Sequence, residues 1–290
     1  MSSRVLRLPA PAKLNLFLHV TGQRSDGYHT LETLLVPISH CDEIVLAGQD
    51  EPTVARVEGP AEVAPEDDLA VRAARLLQRS CRVDRGVAIR VRKRIPLGGG
   101  LGGGSSDAAT VLLGLNRLWQ LGLSRHALMT LALELGADIP FFVFGEPALG
   151  RGIGELLAAV SLPPLWFVVL APPISVETAA IFAAPELTRH SPSAKIQVFP
   201  EGFGRNDLQG VAIAQFPEIA ASLGALADAG EVAAPVMAAR MSGSGACVFA
   251  AFDAEKDAQR VLSRAEDAGC CSGFVARALC RHPLWEFAAP

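Results

Sequence analysis

The chain has 290 residues, half of them hydrophobic and 19% charged, with a formal net charge of -4. That composition excludes a disordered chain. The slight acidity argues against nucleic acid or an anionic membrane as a partner, so a site for phosphorylated ligands must rely on backbone donors and a few local cations. The length exceeds one core of modal size and suits two closely packed domains.

The first residues, MSSRVLRLPAPAKLNLFLHV, do not read as a signal peptide, because Pro9, Pro11 and Lys13 break the apolar stretch. Arg4 to Pro9, Leu14 to Val20, Glu32 to Pro37 and Glu43 to Ala47 alternate or run apolar, which predicts four short strands. Residues 69–80 (LAVRAARLLQRS) have helical spacing, with Asp67 and Asp68 placed to cap them. Residues 87–95 (VAIRVRKRI) alternate apolar and basic, which predicts a half-buried strand that Pro96 ends.

Residues 106–121 follow as an amphipathic helix. Ser124 caps another helix that Gly136 terminates, and residues 137–144 (ADIPFFVF) read as a turn into an apolar strand. The proline-broken segment near 161–164 is the expected boundary, giving domains 1–161 and 162–290; with its prolines at 163, 164, 172 and 173, the apolar run 162–174 is also too broken to span a membrane. Beyond it come strands at 165–170, 246–251 and 273–279, helices at 176–183 and 255–268, and one or two helices across 207–228. Residues 188–205 have few periodic features and read as a long surface loop. Strands are grouped rather than alternating strictly with helices, so the fold class is α+β. The six cysteines form no C-x-x-C pair, and Cys270 and Cys271 are adjacent, which predicts reduced thiols in a cytoplasmic protein and no metal site.

Six glycines occupy the seven positions from Gly98 to Gly104. In a regular element each would cost roughly 0.5–1 kcal/mol, so their use is geometric. A glycine loop directly before a helix aims several N–H groups at one point, where the helix dipole adds positive potential. Ser105 and Ser106 add hydroxyls. The P-loop pattern fails, because Ser105 stands where lysine is required. The dinucleotide pattern is met by Gly98, Gly100 and Gly103, but no acidic residue lies about 20 positions on. A flexible linker is the remaining alternative. A second cluster, Met241 to Gly245 (MSGSG), is either a plain turn or a second backbone wall of the same site.

Three further features carry two readings each. Asp138, after a helix, is a turn residue or the base that phosphoryl transfer calls for. Lys13, inside an apolar run, is a solvent-facing charge or a site cation. Tyr28 and His29, beside Gly27, are a loop support or a platform for a base or ring.

Together these segments resemble the GHMP kinases, and the resemblance spans essentially the whole chain. PLGGGLGGGSSDAA (96–109) resembles their central ATP-binding motif. APAKLNLFLHVTGQRSDGYHTLETL (10–34), LELGADIPFFVFG (133–145) and RMSGSGACVFA (240–250) are similar to motifs of the branch acting on a cytidine-diphosphate-linked methylerythritol. The resemblance implies a ribosomal S5-like N-terminal domain, a ferredoxin-like C-terminal domain and a site in the cleft between them. It implies transfer of phosphate from ATP, with Mg²⁺ as the nucleotide's counter-ion, to the 2-hydroxyl of that alcohol in the non-mevalonate route to isoprenoid precursors.

By the same resemblance Asp138 takes the hydroxyl proton and Lys13 orients the aspartate and neutralises charge. Asn15, Tyr28, His29, Thr178, Phe182 and Asp138 face the substrate. Pro96, Leu97, Gly98, Gly99, Gly100, Leu101, Gly102, Gly103, Gly104, Ser105 and Ser106 wrap the ATP, and Asp68 stands at the adenine contact. Two positions depart from the family: Asp107 replaces an asparagine after the two serines, where it would cap the helix or lie near the metal, and Asp68 replaces another. The implied partner is a small molecule, the implied state a monomer or weak homodimer. The alternatives are a mevalonate- or homoserine-type kinase of the same family, a nucleotide-binding oxidoreductase, or a non-catalytic binding module.

Overall fold

The structure is a computed structural model that describes residues 5–193, 204–269 and 271–289. It opens with a long antiparallel hairpin of β1 (Val5–Gln23) and β2 (His29–Gln49). The two strands expected in each arm are in fact continuous. Register shifts between Pro11 and Lys13, Asn15 and Phe17, and Val20 and Gly22 break the simple alternation, which is why the sequence shows two segments where one strand exists. Pro9 and Pro11 are tolerated because this part of β1 is an edge, paired among the described residues with β2 on one side.

A short strand β3 (Val54–Glu58), not foreseen, precedes helix α1 (Leu69–Ser80) and strand β4 (Gly86–Arg92). Asp68 caps α1 as expected, its Oδ1 accepting from the Ala70 N–H at 2.9 Å. Helix α2 (Gly103–Leu118) begins inside the glycine run, three residues earlier than its periodicity indicated. Helix α3 (Arg125–Leu133) is capped by Ser124.

One expectation is overturned. Residues 139–144 form helix α4 (Ile139–Phe144), not a strand. Pro140 sits in its first turn, where a missing N–H costs nothing, and Gly145 ends it in the left-handed region at φ 78°. Six apolar residues carry no period that separates a buried strand from a buried helix. Strands β5 (Ala148–Arg151) and β6 (Leu156–Ala159) complete a six-stranded sheet of order β3-β4-β2-β5-β6, with β1 on the other edge of β2.

The second unit runs β7 (Trp166–Leu170), α5 (Thr178–Ala183), α6 (Gln209–Gln215), α7 (Pro217–Ala229), β8 (Met237–Met241), β9 (Val248–Phe252), α8 (Glu255–Asp267) and β10 (Gly273–Arg277). Its four strands form an antiparallel sheet of order β10-β7-β9-β8. The surface loop expected at 188–205 falls in part outside the described residues. Among the described residues no single helix is long and apolar enough to cross a membrane.

β1 contributes to all three apolar cores. Leu8 and Ala10 join the core beneath α1 and α2, Leu14, Leu16 and Phe17 the core between the two sheets, and Leu18 and Val20 the core of the second unit. After β10 the chain returns to the first unit through a 3₁₀ turn, Trp285–Phe287. Arg125 holds it there: Nη1 donates to the Val143 carbonyl at 2.5 Å, Nη2 to those of Trp285 at 2.5 Å and Ala288 at 3.3 Å. Replacing Arg125 by Met strands these carbonyls in a buried site. Urea unfolding should show a loss of roughly 3 kcal/mol, and limited proteolysis should cut residues 282–289 faster. An unchanged midpoint with an intact tail would refute the role.

Candidate active site

Where the two units meet there is a cavity of about 1000 Å³. It is lined from the first unit by Lys13, Asn15, Tyr28, His29, Lys93, the loop 96–105 and Asp138, and from the second by Thr178, Phe182, Arg189, Gly243 and Ser244.

The glycine loop forms one wall. Gly98, Gly100 and Gly102 have φ of 65°, 73° and 71°, alternating with residues outside that region. Such alternation turns successive N–H groups toward one side and makes a concavity suited to anions. Gly102 is itself the N-cap of α2. A side chain at Gly100 would put its Cβ 2.2 Å from the Ser242 carbonyl oxygen, because the MSGSG turn lies directly against the loop. Ser242 Oγ donates to the Gly100 carbonyl at 3.2 Å, and the Cys247 N–H donates to that of Gly99 at 3.1 Å. MSGSG is therefore the second wall rather than a plain turn.

Lys13 and Asn15 project from β1 where register shifts flank them. Lys13 is only 4% exposed. Its Nζ donates to Asn15 Oδ1 and stands 3.7 Å from Asp138 Oδ2. Asn15 is fixed in turn: its Nδ2 donates to Thr33 Oγ1 at 2.8 Å, and its N–H donates to Ser242 Oγ at 3.2 Å. Asp138 occupies the N-cap position of α4, yet its side chain makes no cap hydrogen bond, and 45% of that side chain is exposed. A carboxylate not used in capping, facing a buried ammonium across the loop, is available to a ligand.

His29, also in the lining, stacks on Phe182, ring centroids 5.2 Å apart. Tyr28 is 62% exposed at the rim. Thr178 Oγ1 and Ser244 Oγ are 2.8 Å apart, which ties α5 to the MSGSG turn.

Two expected nucleotide residues lie elsewhere. Asp68 does not line the cavity; its carboxylate is taken up by capping α1 and by Arg56 Nη1 at 2.7 Å. Ser106 is fully buried in α2 and also lies outside the lining. Asp107 neither caps α2 nor joins a metal cluster. It pairs with Lys93 Nζ at 2.7 Å, and the same ammonium pairs with the buried Asp42, which accepts from the N–H of Ile95 at 2.8 Å. Among the described residues there is no group of three or more histidine, cysteine or acidic side chains able to hold a metal ion.

Sequence reasoning missed Lys93 and Arg189. Lys93 was hidden in a strand of alternating basic residues, and Arg189 in a stretch without period. The replacement of a neutral amide by Asp107 was the one available signal of a compensating cation.

Burial, opposed by Lys93 and reinforced by the like charge of Asp42, holds the Asp107 pKa at about 7, above the ordinary 3.8. Between those values the folded chain keeps a proton that the unfolded chain has released, so stability is lost as pH rises through the window. Asp107→Asn should therefore raise the melting temperature more at pH 8 than at pH 5. A difference independent of pH would refute this account.

Comparison with known proteins places the geometry in a family. The N-terminal domain of the GHMP kinases matches residues 68–146, and their C-terminal domain matches residues 199–269. The 4-diphosphocytidyl-2-C-methyl-D-erythritol kinase of Thiobacillus denitrificans is 53% identical over 279 residues, covering 96% of this chain and 97% of that one. A crystal structure of 4-(cytidine 5'-diphospho)-2C-methyl-D-erythritol kinase superposes with a TM-score of 0.81 at 34% identity, covering 94% of this chain and 99% of the other. Homoserine kinase from Cytophaga hutchinsonii reaches a TM-score of 0.67 at 17% identity over 97% of this chain, a likeness of fold alone. The strands grouped into two sheets are accordingly the S5-like and ferredoxin-like halves of the GHMP fold. A buried lysine facing a carboxylate across a lysine-free glycine loop thus has its context: the chain belongs to the GHMP kinases, in the family of the 4-diphosphocytidyl-2-C-methyl-D-erythritol kinases.

Proposed function

We propose that the chain transfers phosphate from ATP to the 2-hydroxyl of 4-diphosphocytidyl-2-C-methyl-D-erythritol, a step toward isoprenoid precursors. The observation that carries this reading is the convergence of the glycine loop, the Lys13–Asp138 pair and the stacked rings of His29 and Phe182 on one cavity. Relatives of about half identity over nearly the full chain share the name of that activity, which supports it over the mevalonate or homoserine alternative. The failed ribose test for a dinucleotide loop argues against an oxidoreductase.

In this reading the N–H groups of Gly98–Gly104 and the hydroxyl of Ser105 cradle the ATP phosphates, with Pro96 and Leu97 at the entrance. Asp138 accepts the proton of the substrate hydroxyl as its oxygen forms a bond to the γ-phosphorus and the bond to the ADP oxygen breaks. Lys13 holds the carboxylate in place and neutralises the charge that develops on the transferred group. Its charge is fixed by Asn15 before any ligand arrives, so little reorganisation accompanies reaction. His29, Phe182 and Tyr28 take the cytosine ring, and Thr178 closes that pocket. Mg²⁺ would arrive as the counter-ion of the nucleotide, with Asp138, paired with Lys13, the carboxylate at hand to hold it. Bound there, Mg²⁺ would supply charge neutralisation between the phosphates.

Residues 1–161 are proposed as the ATP-binding half and 162–290 as the substrate half, supported by the change of sheet between β6 and β7. A cytoplasmic setting is proposed from the unpaired thiols of Cys41, Cys81, Cys247 and Cys280. A monomer or weak homodimer is proposed on the family resemblance alone.

The test is phosphorylation of the cytidine-linked alcohol, mevalonate and homoserine in parallel. Only the first should be consumed at a useful rate, and turnover of either of the others without a cytidine requirement would sink the reading. Asp138→Asn should lower kcat by about 10²–10⁴-fold with KM little changed. A loss confined to KM would remove Asp138 from the role of base.

A further inference from the structure

The base end of the cavity contains a cation that the phosphoryl-transfer reading does not use. Arg189 Nε donates to His29 Nε2 at 3.1 Å. The rest of the guanidinium is consumed by backbone carbonyls around the end of α5. Nη2 donates to Ala184 at 2.8 Å and Phe182 at 3.2 Å, and Nη1 to Leu187 at 3.1 Å and Pro185 at 3.4 Å. A planar fork tied down at both ends has one orientation for its Nε–H, and that orientation faces the imidazole.

A guanidinium has donors only and keeps its proton at any accessible pH. Nε2 of His29 must therefore be the acceptor, and the ring's one proton sits on Nδ1. Phe182 fixes the plane of the same ring by stacking at an interplanar angle of 28°. Its backbone carbonyl binds the arginine that fixes the ring's tautomer. Position, plane and protonation of His29 are thus all set from one segment, residues 182–189.

The geometry points to Arg189 as the positioning residue of the base end: it holds His29 as the Nδ1–H tautomer, so that the imidazole meets the base as a donor. Cytosine offers matching acceptors at its ring nitrogen and its carbonyl oxygen. Burial, and then the charge of Arg189, lower the His29 pKa, which keeps the ring neutral where the hydrogen bond needs it. The role rests on the cytidine-linked substrate proposed above, but the tautomer itself does not.

The experiment has two arms on the full chain. Nitrogen-15 NMR of histidine-labelled protein reads the protonation of His29 without any substrate. The wild type should show a protonated Nδ1 and an accepting Nε2; a protonated Nε2 would overturn the proposal. Arg189→Met should move His29 toward the Nε2–H form and raise its titration. It should also raise KM for the cytidine-linked alcohol by about tenfold, the size of one lost hydrogen bond, with kcat and KM for ATP unchanged within error. An unaltered His29 signature or an unaltered alcohol KM in that variant would also refute it. If the alcohol is not a substrate of the wild type, the reading of function fails by itself. The NMR arm then still decides the tautomer, and KM in the comparison is replaced by the dissociation constant of cytidine diphosphate.

Discussion

The arrangement depends on a buried ammonium. Lys13 is almost completely enclosed, and a charge taken out of water without partners would be too costly to keep. Two partners face it: Asn15 on its own strand and Asp138 at the head of α4. Asn15 is itself held from the second unit, its N–H donating to Ser242 Oγ at 3.2 Å. Burial of the lysine is in this way coupled to the interface between the two units.

The same economy appears in the loop walls. Ser242 links the two glycine clusters, accepting from Asn15 on one side and donating to the Gly100 carbonyl on the other. Glycine at position 100 is required twice over, by its φ of 73° and by the approach of the Ser242 carbonyl. The loop itself carries no lysine; the cations near it come from elsewhere in the fold. Lys93, against the first turn of α2, is held between Asp42 and Asp107; burial works against its charge, but the two carboxylates prevail and raise its pKa. Burial, with the like charge of Asp42, holds the Asp107 pKa at about 7 against the pull of the Lys93 ammonium.

Elsewhere in the lining the chemistry changes from charge to shape: His29 stacks on Phe182, and Arg189 donates to His29 Nε2. One cavity is therefore lined by a glycine loop, an aspartate–lysine pair and stacked aromatic rings.

Much of this was legible in the residues alone. The capped helices α1 and α3 and the amphipathic α8 follow from local propensity and period, and the glycine run announced a tight loop opening a helix, because these signals need no distant partner. The motifs around Lys13, Tyr28–His29 and Asp138 selected the family. The sequence by itself could not show that residues 139–144 coil, since an apolar hexamer has no distinguishing period. It could not show that β1 and β2 are unbroken, since bulges disguise their alternation. Nor could it separate Asp138, which faces the cavity, from Asp68, which caps a helix and pairs with Arg56. Both are aspartates ahead of helices. Lys93 and Arg189 were likewise indistinguishable from solvated charges. Local chemistry determined which elements form and where a glycine loop opens a helix. Only the tertiary structure decided which charges are buried together, because burial and pairing are properties of contacts between segments far apart in the chain.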